Sequence, residues 1–218
     1  MKLRLVRILL VTAAASAAAQ AATINWGNLY DSVLLDSKGN ALDANSYNFE
    51  LGAFNLGFSP TKENVESWLE NWKMFDRSDY DAASGHFSSS VNFDQNGHSD
   101  TVGTDLGLNF QDVEAYVWIY NGTDPGPGTE WLLARAQNWV FPALYEDCCD
   151  TRILEWSISD LTIGDIPYWG SQTVIRGPGE GATVPADLQT LTFIPEPSSA
   201  LLASMAALGM IFHRRREA

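Results

Sequence analysis

The residues in this chain with chemistry to offer are carboxylates, tryptophans and two histidines. Glu114 and Glu155 each sit inside an alternating run, at 113–120 and 154–158. Two carboxylates facing one another across a cleft would hydrolyse a glycosidic bond. A glutamate inside a strand is otherwise its solvent-facing member. The stretch Asp94-Gln95-Asn96-Gly97-His98-Ser99-Asp100 offers oxygen ligands from Asp94, Asn96 and Asp100 and a glycine for a turn. Calcium takes six to eight such oxygens. Here the glycine comes too early for an EF-hand loop, and a hairpin turn explains the same residues. Asp36-Ser37-Lys38-Gly39-Asn40 has a similar pattern with a lysine in it, and reads as a turn too. Eight tryptophans suggest sugar stacking. Trp68, Trp72 and Trp156 fall on apolar faces and read as core. Trp169 and Trp118 are less clearly explained, so they are the candidate ligand-binding aromatics.

Hydrolytic and phosphate-handling motifs are missing. The sequence contains no H-E-x-x-H, no G-x-S-x-G and no phosphate-cradling glycine loop. His86 and His98 are the histidines upstream of the tail. Cys148 and Cys149 are adjacent, which leaves a strained vicinal disulfide, free thiols or an intermolecular bridge open, but no disulfide framework. No motif calls for a cofactor, and no catalytic residue can be named. The expectation is a non-enzyme.

These residues must be held by a mainly β scaffold. In 113–120, Val113, Ala115, Val117 and Ile119 alternate with Glu114, Tyr116, Trp118 and Tyr120. Both faces are bulky, so this strand belongs in the middle of a sheet covered on both sides. Asn121-Gly122 marks a turn after it. Residues 130–136 and 138–141 read as strands returning against it. Residues 46–54, 87–93, 154–158 and 188–194 read as further strands. An apolar spacing at Val65, Trp68, Leu69, Trp72 and Phe75, opened by Ser59-Pro60, predicts one amphipathic helix over about 60–75. The Gly/Pro-rich stretch 176–186 reads as a long loop. The fold class expected is a single antiparallel β-sandwich or jelly-roll-like domain over 23–193.

Both ends of the 218-residue chain are set apart from that domain. Lys2, Arg4 and Arg7 precede an apolar run, Ile8 to Ala19, and then Ala19-Gln20-Ala21. This is the layout of a secretory signal peptide, assigned to 1–22, with a mature start near Ala22 to Ile24. The tail, 194–218, carries Pro195-Glu196-Pro197, an apolar stretch to Phe212, and Arg214, Arg215 and Arg216. The prolines keep the chain extended. As a helix, Ser198 to Phe212 would span about 22 Å, short of the roughly 30 Å hydrocarbon core. Terminal arginines stay cytoplasmic, which puts the domain outside. The tail resembles a PEP-CTERM sorting signal. That resemblance implies recognition and cleavage by an intramembrane exosortase, transient anchoring in the inner membrane, and release to an envelope or matrix rich in exopolysaccharide and biofilm. It gives an address and no activity.

Charge supports the same address. Of 13 basic and 27 acidic residues, three basic ones lie in the head, while three basic ones, with Glu196 and Glu217, lie in the tail. The domain keeps 7 basic and 25 acidic residues, net about −18. Such a surface repels nucleic acid and anionic lipid. The expectation is an exported, non-catalytic cell-envelope or matrix protein associated with extracellular polysaccharide. The alternatives are a secreted glycan hydrolase with an unlocated carboxylate pair, and a purely structural surface protein.

Overall fold

The computed structural model describes residues 22–30, 32–43, 46–94, 96–101, 107–143, 152–158, 161, 168–171 and 188–194. The signal-peptide stretch 1–21, Cys148 and Cys149, the loop 176–186 and the tail 195–218 lie outside them. Among the described residues no helix is long and apolar enough to cross a membrane. The fold is mainly β with predominantly antiparallel sheets.

The first sheet takes the order β5-β6-β1-β9, from Tyr80–Asp81 (β5), His86–Phe93 (β6), Ala22–Gly27 (β1) and Ile153–Ser157 (β9). The second takes the order β11-β8-β7-β3-β4, from Leu191–Thr192 (β11), Glu130–Ala134 (β8), Tyr116–Asn121 (β7), Tyr47–Phe54 (β3) and Trp72–Ser78 (β4). A short pair joins Leu34–Leu35 (β2) to Leu188–Gln189 (β10). Two pairings are parallel, β1 with β9 and β10 with β2, which corrects the all-antiparallel expectation. Strand β1 is a further correction. No strand is expected from the sequence at 22–27, yet β1 is a central strand, paired with β6 on one side and β9 on the other.

Period-two alternation sorts the side chains into two cores. Ile24, Trp26, Phe87, Val91 and Trp156 of the first sheet meet Phe49, Leu51, Val117, Ile119 and Leu132 of the second in one cluster. The other face of the second sheet carries Phe54, Trp72, Tyr116, Trp118, Tyr120, Trp131 and Leu133. Trp68, Val65, Phe193 and the half-buried Trp169 cover it. The strand at 116–121 is therefore central and covered on both faces, as its sequence pattern requires.

The helix is shorter than its apolar spacing implied. A 3-10 turn at Lys62–Ser67 passes into one α-turn, Trp68–Asn71 (α1), and the chain then enters β4. On a helix, Trp72 and Phe75 would share a face. In the structure Trp72 belongs to the aromatic cluster and Phe75 to the inter-sheet core. Three residues apart on a strand, they fall on opposite faces, and the bulge, where the register on β3 passes over Phe75 between Leu51 and Gly52, reverses the alternation only beyond it. The cap moves as well: Thr61, not Ser59, is the N-cap, and its backbone N–H donates to Asn64 Oδ1 at 2.8 Å. Asn64 Oδ1 also accepts from Trp68 Nε1 at 2.8 Å, which pins the helix to the aromatic layer.

Two buried carboxylates, Glu50 and Asp76, and the half-buried Glu130 tie the layers together. Glu50 accepts from Trp72 Nε1 at 2.8 Å, Tyr120 OH at 2.7 Å and Arg77 Nη2 at 2.5 Å. Asp76 accepts from Trp26 Nε1 at 2.7 Å, across the two sheets. Glu130 accepts from Ser37 N and Oγ, Tyr47 OH and Thr190 Oγ1, so it fastens β2, β3 and the β10–β11 segment to β8.

Burial raises the Glu130 pKa, but these hydrogen bonds outweigh it and hold the carboxyl below its ordinary value. A depressed folded value means the ionised form favours the folded state. Its stabilisation is fully present above the unfolded value of about 4.3 and is lost as pH falls through the folded one. Tyr47 shifts upward, through burial and then its bond to Glu130, so that its stabilisation is lost as pH rises beyond about 10. The melting temperature should fall below pH 4, and Glu130→Gln should flatten that acid limb. An acid limb unchanged in Glu130→Gln would show that Glu130 is not the linked group.

Candidate ligand-binding face

β1 and the two strands flanking it build a polar face on the first sheet. Alternation sends Ile24, Trp26, Phe87, Val91 and Trp156 inward, so their neighbours point outward. The registers align those neighbours in three rows across β6, β1 and β9. They are Ser88–Gly27–Ser157, Ser90–Asn25–Glu155 and Asn92–Thr23–Ile153. Successive rows lie about 6.6 Å apart, two residues of strand. Ile153 is the apolar exception. The face opens as a depression of about 510 Å3, lined by Asn25, Gly27, Ser88, Ser90, Glu155 and Ser157 among others.

Its shape depends on Gly27. A Cβ there would stand 2.4 Å from the Phe87 carbonyl oxygen and 3.0 Å from Ser88 Cα. Only glycine lets β6 approach this closely and leaves the first row low. Asn28 then locks the end of β1 to the β5–β6 hairpin. Its Oδ1 accepts from Phe87 N at 2.8 Å and its Nδ2 donates to the Gly85 carbonyl at 2.8 Å. The chain leaves past Leu29 to Tyr30, whose ring stacks on His86 at 4.0 Å and 12°. His86 shares the outward parity of Ser88, so the stack caps the row series. Tyr30 is 73% exposed. At the far end Thr23 Oγ1 donates to Asn92 Oδ1 at 3.0 Å, and Asn92 donates from N and Nδ2 to Asp100 at 2.9 and 2.7 Å.

The residues singled out from sequence separate. Trp118 is fully buried, packed edge-on against Trp72, Trp131, Trp68 and Tyr120, so it offers no stacking surface. That corrects its assignment as a ligand-binding aromatic. Its Nε1 has no hydrogen-bond acceptor among the described residues. Trp169 is half-buried in the same cluster, with Trp131 and Phe193 against its ring and Nε1 donating to the Leu191 carbonyl at 3.1 Å. It secures the β11 segment. The sequence reading missed Tyr30, and the polar pattern Ser88, Ser90, Asn92 was the available signal for the face.

Glu114 and Glu155 do not come together. Glu155 lines the polar face of the first sheet. Glu114 lines a smaller depression of about 200 Å3 beside the second, with Phe54, Leu56, Phe58 and Asp112. It is ion-paired with Arg135 at 2.6 Å and accepts from Tyr116 OH at 2.9 Å. The calcium-ligand residues are engaged within their own turn. Asp94 Oδ1 accepts from Asn96 N and His98 N, both at 2.8 Å, and Gly97 takes φ 77°. Asp36 makes the same bonds to Lys38 N and Asn40 N, with Gly39 at φ 87°. Asp100 is committed to Asn92. Both segments are Asx-stabilised hairpin turns, and among the described residues no three metal-ligating side chains converge.

Comparison with known proteins returns no matching family model, no matching curated protein and no matching solved structure.

Proposed function

We propose that this chain is an exported, non-catalytic protein of the cell envelope or extracellular matrix that associates with polysaccharide through the outer face of β6-β1-β9. The observation that carries the reading is the three-row face. Hydroxyl, amide and carboxylate groups stand at repeating intervals on a rigid sheet, with an exposed aromatic stack at one end. Such a surface can hydrogen-bond an extended polyol along its length, and a ring face can lie on Tyr30. Recognition sites of this kind rely on a few fixed polar groups. The two facing sheets are read as a β-sandwich, and the aromatic layer stiffens it from behind.

The contacts of the first and last described residues are compatible with the proposed processing. β1 begins at Ala22, which is buried and paired with Phe93. Phe193 is stacked on Trp131 at 4.3 Å, and its N–H donates to the Thr129 carbonyl at 2.7 Å, whereas Ile194 is exposed. Removal of a signal peptide after Ala21 would leave β1 whole. A cut at Pro195-Glu196-Pro197 by an exosortase would spare Phe193, the last anchored residue among those described. N-terminal sequencing of the secreted form should read Ala-Thr-Ile-Asn-Trp, and its C-terminus should lie beyond Phe193. A start at Asn25 or later would remove the buried Ile24 and contradict the assignment.

The full chain, purified from membranes in detergent and screened on a glycan array, should bind polysaccharide and show no hydrolysis products. Binding to no glycan would favour the purely structural alternative.

A further inference from the structure

Resting on that reading, we infer that the face selects an amine-bearing polysaccharide, a polymer of hexosamine units with free ammonium groups. Two features on the face attract cations, and they are independent of each other. Glu155 is exposed at the edge-strand end of the middle row Ser90–Asn25–Glu155, and among the described residues lining the depression it is the one with an acidic side chain. Tyr30 presents a ring that is 73% exposed, and ammonium groups are drawn to the faces of such rings. Among the described residues no lysine or arginine lines the depression. Arg152 lies beyond the last row, past Ile153, and Asp100 stands behind Asn92 at that end. The whole chain, at net −14, repels uronate and sulfated polymers before contact.

The spacing favours a polymer over a monomer. His86, under Tyr30, lies two rows from Glu155, about 13 Å along the strands, and two strands across, about 9.6 Å. One sugar unit cannot reach both. An oligomer with an ammonium on each unit can place one over Tyr30 and another against Glu155, while its hydroxyls meet Asn25, Ser88 and Ser90. Binding two linked sites gains affinity through effective concentration.

Calorimetric titration of the full chain with a glucosamine hexamer, an N-acetylglucosamine hexamer, a glucose hexamer and an oligo-uronate distinguishes the cases. The deacetylated hexamer should bind about tenfold tighter than its acetylated counterpart, the margin of one charge-assisted contact. Glu155→Gln should remove most of that margin, weakening the deacetylated oligomer far more than the acetylated one. Tyr30→Ala should weaken the deacetylated oligomer several-fold. Both side chains are exposed, so the melting temperature should not change. Equal affinity for the two hexosamine oligomers, or a Glu155→Gln variant that keeps the margin, overturns the amine inference while leaving polysaccharide association standing. If none of the four oligomers binds, the amine inference fails, and the glycan array decides separately whether polysaccharide association fails with it.

Discussion

Trp118→Ala should lower stability by about 3–5 kcal/mol, the range for deleting a large buried aromatic. The ring is fully enclosed by Trp68, Trp72, Tyr120 and Trp131, so its loss leaves a cavity in the middle of the aromatic layer. Each of these ring pairs adds beyond the area it buries. For a domain of this size, 1 kcal/mol moves the melting temperature by about 2–4 °C. Calorimetry should therefore show a fall of roughly 6–20 °C. Below the lowered transition, glycan binding should equal that of the parent chain, because Trp118 lies on the far side of the second sheet from the proposed face. A change of less than 1 kcal/mol would contradict the layer's structural role. A normal melting curve with lost binding would return Trp118 to the list of ligand contacts.

Glu50→Leu is expected to cost about 3 kcal/mol. Glu50 is buried, and its removal strands the Trp72 indole N–H and the Tyr120 hydroxyl inside the layer. Leaving a buried donor unsatisfied costs about 1–3 kcal/mol each. Arg77 adds less, because its side chain is half exposed and water can replace the carboxylate. Glu50→Gln keeps an acceptor and the side-chain volume, so it should cost about half as much. Urea unfolding of both variants measures the difference. Equal losses would mean that a retained amide oxygen does not satisfy these donors, which would contradict the partial rescue. Burial also keeps the Tyr120 hydroxyl protonated well above the ordinary tyrosine range, and the charge of Glu50 adds to this, so the Tyr120 bond to Glu50 persists at alkaline pH.

Much of this scaffold could be read from the chain. The alternation at 113–120 announced a strand with an aliphatic face and an aromatic face, and β7 has both. Ser88, Ser90 and Asn92 against Phe87, Val91 and Phe93 announced a half-solvated strand, and β6 is one. Local pattern misled where two periods coincide. Trp68, Trp72 and Phe75 satisfy a helix, yet a bulged strand also sends Trp72 and Phe75 to opposite sides, and pairing with β3 decided between them. β1 was obscured by its position directly behind the signal-like segment, although Ala22-Thr23-Ile24-Asn25-Trp26 alternates cleanly. Its parallel pairing with β9 joins residues some 130 apart, which no local signal encodes.

The candidate site was less legible for the same reason. Tryptophan drew attention as the sugar-stacking residue, but in this chain Trp68, Trp72, Trp118, Trp131 and Trp169 build the aromatic layer on the second sheet, and Trp26, Trp139 and Trp156 fill the core between the sheets. The outward row Ser90–Asn25–Glu155 comes from three distant segments, and only the registers of β6 and β9 on β1 assemble it. Tyr30 gained meaning from its stack on His86, a contact across the β5–β6 hairpin.

The most direct test of polysaccharide association is chemical-shift mapping of the isotopically labelled full chain during titration with the glycan that binds best. Perturbations should concentrate at Thr23, Asn25, Gly27, Ser88, Ser90, Glu155 and Tyr30. Residues around Trp118, Trp169 and Glu114 should remain unmoved. Perturbations centred on Glu114 and Leu56, or on Trp169, with the β6-β1-β9 face silent, would contradict it.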